Sequence, residues 1–192
     1  MLQLKRSLLV FCGLFLICGL IYPLVVTITA QTVFTEKANG SIIKNGNQIM
    51  GSKLIGQLFT RPGYFHGRPS ASDPQYDASN SGGSNLAPSN AKFIAQAKAR
   101  VEQLRAGNGL PLHSSVTADL ALTSASGLDP HISPESAAIQ VHRIAGERNI
   151  PETKLEKIIL QNTEKPLLGI WGKERVNVLL LNLALDRLEQ KR

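Results

Sequence analysis

The sequence predicts a mixed helix-and-strand domain, α/β or α+β, held as a single extracytoplasmic unit behind one N-terminal transmembrane helix. Three observations predict it. No charged residue occurs from Leu8 to Ala30. Apolar residues recur at helical spacing through the second half of the chain, with short apolar runs between. A long stretch rich in Gly, Pro, Ser and Asn separates the two regions.

The apolar run comes first. As a helix, residues 8–30 would be about 35 Å long, enough to cross a hydrocarbon core of about 30 Å. Tyr22 sits where interfacial aromatics are found, and Pro23 is expected to kink or loosen the last turns. A cleaved signal peptide is the rival reading. The run is too long for one, and Ile28 stands where a small residue should precede a site ending at Ala30. A retained anchor is preferred. Lys5 and Arg6 put the N-terminus in the cytoplasm by the positive-inside rule. The expected organisation is then a cytoplasmic N-terminus (1–6), a transmembrane helix (7–30), a stalk (31–50) and an extracytoplasmic domain (51–192) with a long ordered loop at 60–90.

Both cysteines, Cys12 and Cys18, fall inside the span. Cys12 and Gly19 lie seven residues apart on one helix face, where small side chains let a partner helix approach. A lipid-facing anchor is the alternative. The net charge is +7, from 21 basic and 14 acidic residues. The outer part keeps all basic residues but Lys5 and Arg6, a balance of +5. This reads as a mixed solvated surface; it lacks the dense basic clusters of a nucleic-acid-binding face.

In the stalk, Asn45-Gly46-Asn47 fits either a loop or a hairpin turn. Ser52 to Phe59 reads as a short helix or strand. From Gly63 to Asn90, 16 of 28 residues are Gly, Pro, Ser or Asn. Four of the seven aromatics after Ala30, namely Phe59, Tyr64, Phe65 and Tyr76, lie in or beside this stretch. Aromatics are placed where they can be buried, so the loop is expected to be ordered and pinned to the core.

Ser89 or Asn90 should cap a helix to about Arg105, with Phe93, Ala97, Val101 and Leu104 as its apolar stripe and Gly107 as its stop. Leu110 to Thr123 fits strands, with Val116, Leu120 and Leu122 alternating. Ser133 should cap the next helix, with core positions Ala137, Val141, Ile144 and Ala145. Pro151 opens another helix carrying Leu155, Ile158 and Ile159. The apolar run from Val176 to Leu188 predicts a buried helix, or a strand leading into one.

Candidate chemistry is sparse. Ser81-Gly82-Gly83-Ser84-Asn85 resembles the Ser-Gly-Gly core of the ABC-type ATPase signature, and consecutive amides there could cradle an anion. A tight loop that merely needs glycine is the simpler reading. No Gly-x-x-x-x-Gly-Lys-Ser/Thr loop occurs. Ser124, Ser126, Asp129 and His131 have triad residue types but no Gly-x-Ser-x-Gly elbow. A turn leading to the Ser133 cap fits them better. His66, His113, His131 and His142 lack metal-ligand spacing, so neither a metal site nor a catalytic residue is assigned. Tyr64, Phe65 and Arg68 fit either a partner-docking patch or an anchor for their own loop.

A series of blocks now runs in order. After the span come Gly51-Ser52-Lys53-Leu54-Ile55-Gly56-Gln57, Tyr64-Phe65 and Arg68-Pro69-Ser70-Ala71. Then come Ser81-Gly82-Gly83-Ser84-Asn85-Leu86, Pro88-Ser89-Asn90, the run TSASGLDPHISP from Thr123 and the run VNVLLLNLALD from Val176. This series resembles the C subunit of the Kdp potassium-transporting ATPase, the KdpC family, over nearly the whole chain. Ala87, Ala91 and His66 depart from the family pattern, which has glycine, proline and an aromatic at these positions.

The resemblance implies a subunit of a bacterial inner-membrane complex that takes up potassium with high affinity at the expense of ATP. Its implied partners are a potassium-binding channel-like subunit, a P-type ATPase subunit and a small single-span subunit. It also implies a subunit that is not itself the hydrolase but acts as a catalytic chaperone, raising the ATPase subunit's affinity for ATP, a role tied to Ser81 through Asn85 as a nucleotide contact. No Asp-Lys-Thr-Gly phosphorylation motif is present. No cofactor is expected on this chain itself; ATP and potassium act on the complex. With Lys5 and Arg6 cytoplasmic, Ser81 lies across the membrane from cytoplasmic ATP. An effect on nucleotide affinity would then be indirect, or the domain would shape potassium entry instead. The alternative outside the family is an independent membrane-tethered extracytoplasmic enzyme or ligand-binding domain.

Overall fold

The computed structural model describes residues 1–189. The chain divides into two compact units, with the boundary between Met50 and Gly51. In the first, a continuous helix runs over Leu2–Val33. It comprises α1 (Leu2–Phe15), a π-helical stretch (Leu16–Ile21) and α2 (Tyr22–Val33). It is apolar, and its side chains are exposed within the chain, as a lipid-facing helix requires. The helix widens over Leu16–Ile21, the turn whose carbonyls lie opposite the missing N–H of Pro23, and returns to α geometry from Tyr22. The short α3 (Thr35–Ala38) follows, then a hairpin of β1 (Ile42–Asn45) and β2 (Gln48–Ser52) turning at Gly46-Asn47.

The second unit combines helices with a small antiparallel sheet, the α+β branch of the expected class. Its helices begin with α4 (Ala91–Asn108) and α5 (Ala118–Ala121). Then come α6 (Pro134–Ile139), α7 (Val141–Arg148) and α8 (Glu152–Gln161). The sheet holds β3 (His131–Ile132), β4 (Thr163–Glu164) and β5 (Arg175–Asn177), ordered β3-β5-β4. Ile132 faces Val176, which also faces Thr163. β5 leads straight into α9 (Val178–Glu189). The core gathers Phe65, Ile132, Ile144, Leu155, Val176, Leu181 and Leu185, all essentially without solvent exposure. Burying each such side chain contributes about 2 kcal/mol.

Three expected elements differ. α4 passes through Gly107 and ends at Gly109, whose φ of +65° makes the left-handed cap. An interior glycine costs a helix only about 1 kcal/mol; the stop falls where the backbone must turn left-handed. Asn90, not Ser89, caps its start by accepting from the Lys92 amide. Residues 110–123 form no strand. Leu120 and its neighbour Ala121 are both buried from α5, which breaks the alternation, and Val116 packs on the same core from the coil ahead of α5. Beyond β2, residues 53–59 are neither helix nor strand. The Ser52 hydroxyl accepts from the Leu54 amide and turns the chain.

Residues 53–90 therefore carry no regular element, yet Phe65 within them is fully buried. Two buried side-chain amides explain this. Asn182 of α9 accepts from the Phe65 amide and donates to the Phe65 carbonyl, both at 2.9 Å. Gln140, between α6 and α7, accepts from the His66 amide at 2.8 Å and donates to the His66 carbonyl at 3.1 Å. Each side chain serves two consecutive backbone groups as a neighbouring strand would. Tyr64 adds a ring contact. The Arg148 guanidinium lies 4.3 Å from its ring centre, and its hydroxyl donates to Asp186 at 3.2 Å.

Candidate functional site

The sequence singled out three groups: the Ser-Gly-Gly run, the segment 123–134, and Tyr64, Phe65 and Arg68. The structure brings all three into one layer of coil. Arg68 is its hub. It donates to Asp129 Oδ2 at 3.0 Å and lies within 3.4 Å of the Thr123 carbonyl. Asp129 in turn accepts from the His131 amide at 3.0 Å, with the His131 ring nitrogen 3.4 Å away. The Tyr76 hydroxyl donates back to the Arg68 carbonyl.

Burial works against the charged form of Asp129, but the His131 ring and amide and the Arg68 guanidinium outweigh it. They hold the carboxyl at about 2. Burial, with the Asp129 charge behind it, pushes the Tyr76 phenol up to about 12. Both groups are fixed in charge near neutrality: Asp129 as an anion, Tyr76 as a neutral donor. A clamped ion pair of this kind positions a loop and does not transfer protons.

The Ser-Gly-Gly run lies along residues 124–128. The Gly82 amide donates to the Ser126 carbonyl at 2.8 Å, and the Ser81 hydroxyl donates to the same oxygen at 3.0 Å. A β-carbon on Gly83 would sit 3.0 Å from the Ala125 carbonyl oxygen. Gly127, with φ of +69°, would place one 2.8 Å from the Gly82 carbonyl oxygen. Two backbones thus meet where side chains cannot fit. Ser70 locks the joint by donating to the Gly127 carbonyl at 2.8 Å. Ser84 is half-buried, and Asn85 is exposed with φ of +52°.

Of the triad residue types, Asp129 and His131 meet, at 3.4 Å. Ser126 accepts from the Leu128 amide in a local turn, and Ser124 is buried. Among the described residues no three His, Cys, Asp or Glu side chains group to hold a metal. Phe65 points wholly into the core, and Tyr64 and Arg68 bond within the domain. On the apolar helix, Cys12 is exposed and the Phe15 ring lies 3.5 Å from where a Gly19 β-carbon would be. Asn182 and Gln140 escaped the sequence reading. Their signal was a lone amide interrupting an apolar helical face, at Asn182 within VNVLLLNLALD and at Gln140 before Val141.

An apolar helix long enough to cross a bilayer, followed by an α+β domain, defines a membrane-anchored domain of mixed helix and sheet. The family model described as KdpC: K+-transporting ATPase, c chain, matches residues 4–187. The chain belongs to this KdpC family. It is 50% identical to the potassium-transporting ATPase KdpC subunit of Koribacter versatilis over 169 residues, covering 88% of this chain and 86% of that protein. It is 48% identical to the same-named subunit of Polaromonas naphthalenivorans over 190 residues, covering 97% and 95%. The Caulobacter vibrioides subunit is 49% identical over 189 residues, covering 97% and 94%.

Two predictions follow from this geometry. Gly127→Ala should cost about 2 kcal/mol of stability, through its left-handed backbone and the Gly82 contact. Gly82→Ala, which faces open space, should stay within about 0.5 kcal/mol in the same denaturant titration of the full chain. Asp129 has its folded value at about 2, below an unfolded value of about 3.9. Its contribution is complete above about pH 4 and is lost as pH falls through about 2. Asp129→Asn should therefore destabilise the chain by about 1–2 kcal/mol at neutral pH. The gap to the parent should close as the titration is repeated at successively lower pH.

Proposed function

We propose that the chain is a non-catalytic, membrane-anchored accessory subunit of an ATP-driven potassium uptake complex. It assists assembly with a potassium-binding channel-like subunit, a P-type ATPase subunit and a small single-span subunit. In this reading the N-terminus is cytoplasmic, residues 7–30 cross the bacterial inner membrane, residues 31–50 act as a stalk, and the domain from residue 51 lies outside the cytoplasm. The anchor meets its partners through the face that carries Cys12 and Gly19. Tyr64, Phe65 and Arg68 act on the partner surface by fixing the coil layer they hold.

One observation carries the mechanism. The amide of Gly82, the group that would cradle a phosphate, is bonded to the Ser126 carbonyl. In this reading the Ser-Gly-Gly run is a backbone joint at Gly82, whose amide is not free to face a nucleotide. A rise in the ATPase subunit's affinity for ATP then comes through coupled conformations of the complex, or the domain shapes potassium entry from outside. The positive-inside argument from Lys5 and Arg6 supports the same conclusion.

Sidedness tests this reading. Ser84→Cys, in a Cys12→Ala/Cys18→Ala background, is treated in intact cells with a membrane-impermeant maleimide. Labelling from outside is expected. Labelling only after lysis would overturn the topology and restore direct nucleotide contact at residues 81–85.

A further inference from the structure

Between β4 and β5 the chain makes a turn that neither the anchor nor the coil layer uses. Leu167 and Trp171 pair across it: the Leu167 amide donates to the Trp171 carbonyl at 2.8 Å, and the Trp171 amide donates back to the Leu167 carbonyl at 3.0 Å. The turn holds Leu167, Leu168, Ile170 and Trp171 outward, exposed by 68, 77, 79 and 64%. Four large apolar side chains within five residues, all turned to solvent, are not explained by the domain's own packing.

Lys165 and Lys173 flank this tip. Neither joins an ion pair among the described residues, whereas Arg175 is taken by Glu164 at 2.9 Å. Behind the tip lies a cleft of about 430 Å³, rimmed by Trp171. Arg68, Lys165, Lys173 and Arg175 line it against Asp129 and Glu174. The arrangement is an apolar wedge with a tryptophan at its edge and, at its foot, two lysines that join no ion pair among the described residues. A bilayer takes such a wedge among its acyl chains, tryptophan at the headgroup level and lysines against lipid phosphates.

We propose that the turn 165–173 docks on the surface of an anionic phospholipid bilayer, giving the domain a second membrane contact besides the anchor. The same chain carries an apolar helix long enough to span a bilayer, and in the reading proposed above that helix tethers the domain to such a surface. A convex tip suits a fluid phase, where a protein partner would need a matching socket. Local tethering also lets a weak insertion count.

Trp171 is the only tryptophan in the chain, so it reports its own surroundings. The full chain is reconstituted in vesicles of phosphatidylcholine with a minor share of phosphatidylglycerol, some of the phosphatidylcholine brominated along its acyl chains. Bromolipid is expected to quench Trp171 strongly, and aqueous iodide weakly. Leu168→Asp/Ile170→Asp, at exposed positions that leave the core intact, should cut bromolipid quenching by at least about half, as should Lys165→Glu/Lys173→Glu. Strong iodide quenching without bromolipid quenching would overturn the proposal. So would protection of Trp171 that arises only in the assembled complex, which would assign the tip to a protein partner. Equal bromolipid quenching in vesicles lacking phosphatidylglycerol would overturn its anionic specificity.

Discussion

Two buried side-chain amides hold a stretch of coil as if it were a strand, and the domain depends on them. Asn182 and Gln140 each satisfy both the N–H and the C=O of one residue in the Phe65-His66 pair. Without them those backbone groups would be buried unpaired, at a cost of about 1–3 kcal/mol each. With them, Phe65 enters the core beside Leu181 and Leu185. The small sheet is only three strands of two or three residues. Much of the layering that a larger sheet would provide is supplied by this clasped coil.

From that anchor the rest of the coil layer is fixed in sequence. His66 and Gly67 lead to Arg68, whose guanidinium reaches Asp129. Asp129 stands at the foot of β3, and the Pro130 carbonyl accepts from the Val178 amide at the start of α9. The loop is thereby tied to the same helix that carries Asn182. Farther along, Ser70 and the glycines at 82, 83 and 127 bring two backbones into contact. The layer is tied together by these bonds, although the buried Arg68 Nε has no hydrogen-bond partner among the described residues.

The helices were legible because caps and periodicity agree. Asn90 and Ser133 accept hydrogen bonds from the first-turn amides of α4 and α6, and the apolar spacing of α8 and α9 is that of their buried faces. The resemblance carried by the ordered blocks reached the family directly. What stayed hidden was non-local. Nothing near Phe65 announces that its backbone partner lies 117 residues away. Alternation at Val116, Leu120 and Leu122 suggested strands because the buried neighbour Ala121 can be known only from packing. Gly107 outweighed Gly109 because a left-handed cap is a property of the turn that follows it. The glycine run had two readings from sequence. Its contact with residues 124–128, through the Gly82 amide and the Ser126 carbonyl, is tertiary and does not show in the sequence.

The central claim is that side-chain amides, not loop composition, order the coil that the family motifs occupy. Hydrogen exchange at single residues in the full chain in detergent micelles tests it most directly. The Phe65 and His66 amides should exchange as slowly as the Val176 amide of the core strand, and Asn182→Ala should release Phe65. Exchange of both amides at the rate of exposed loop residues in the parent chain would contradict the account.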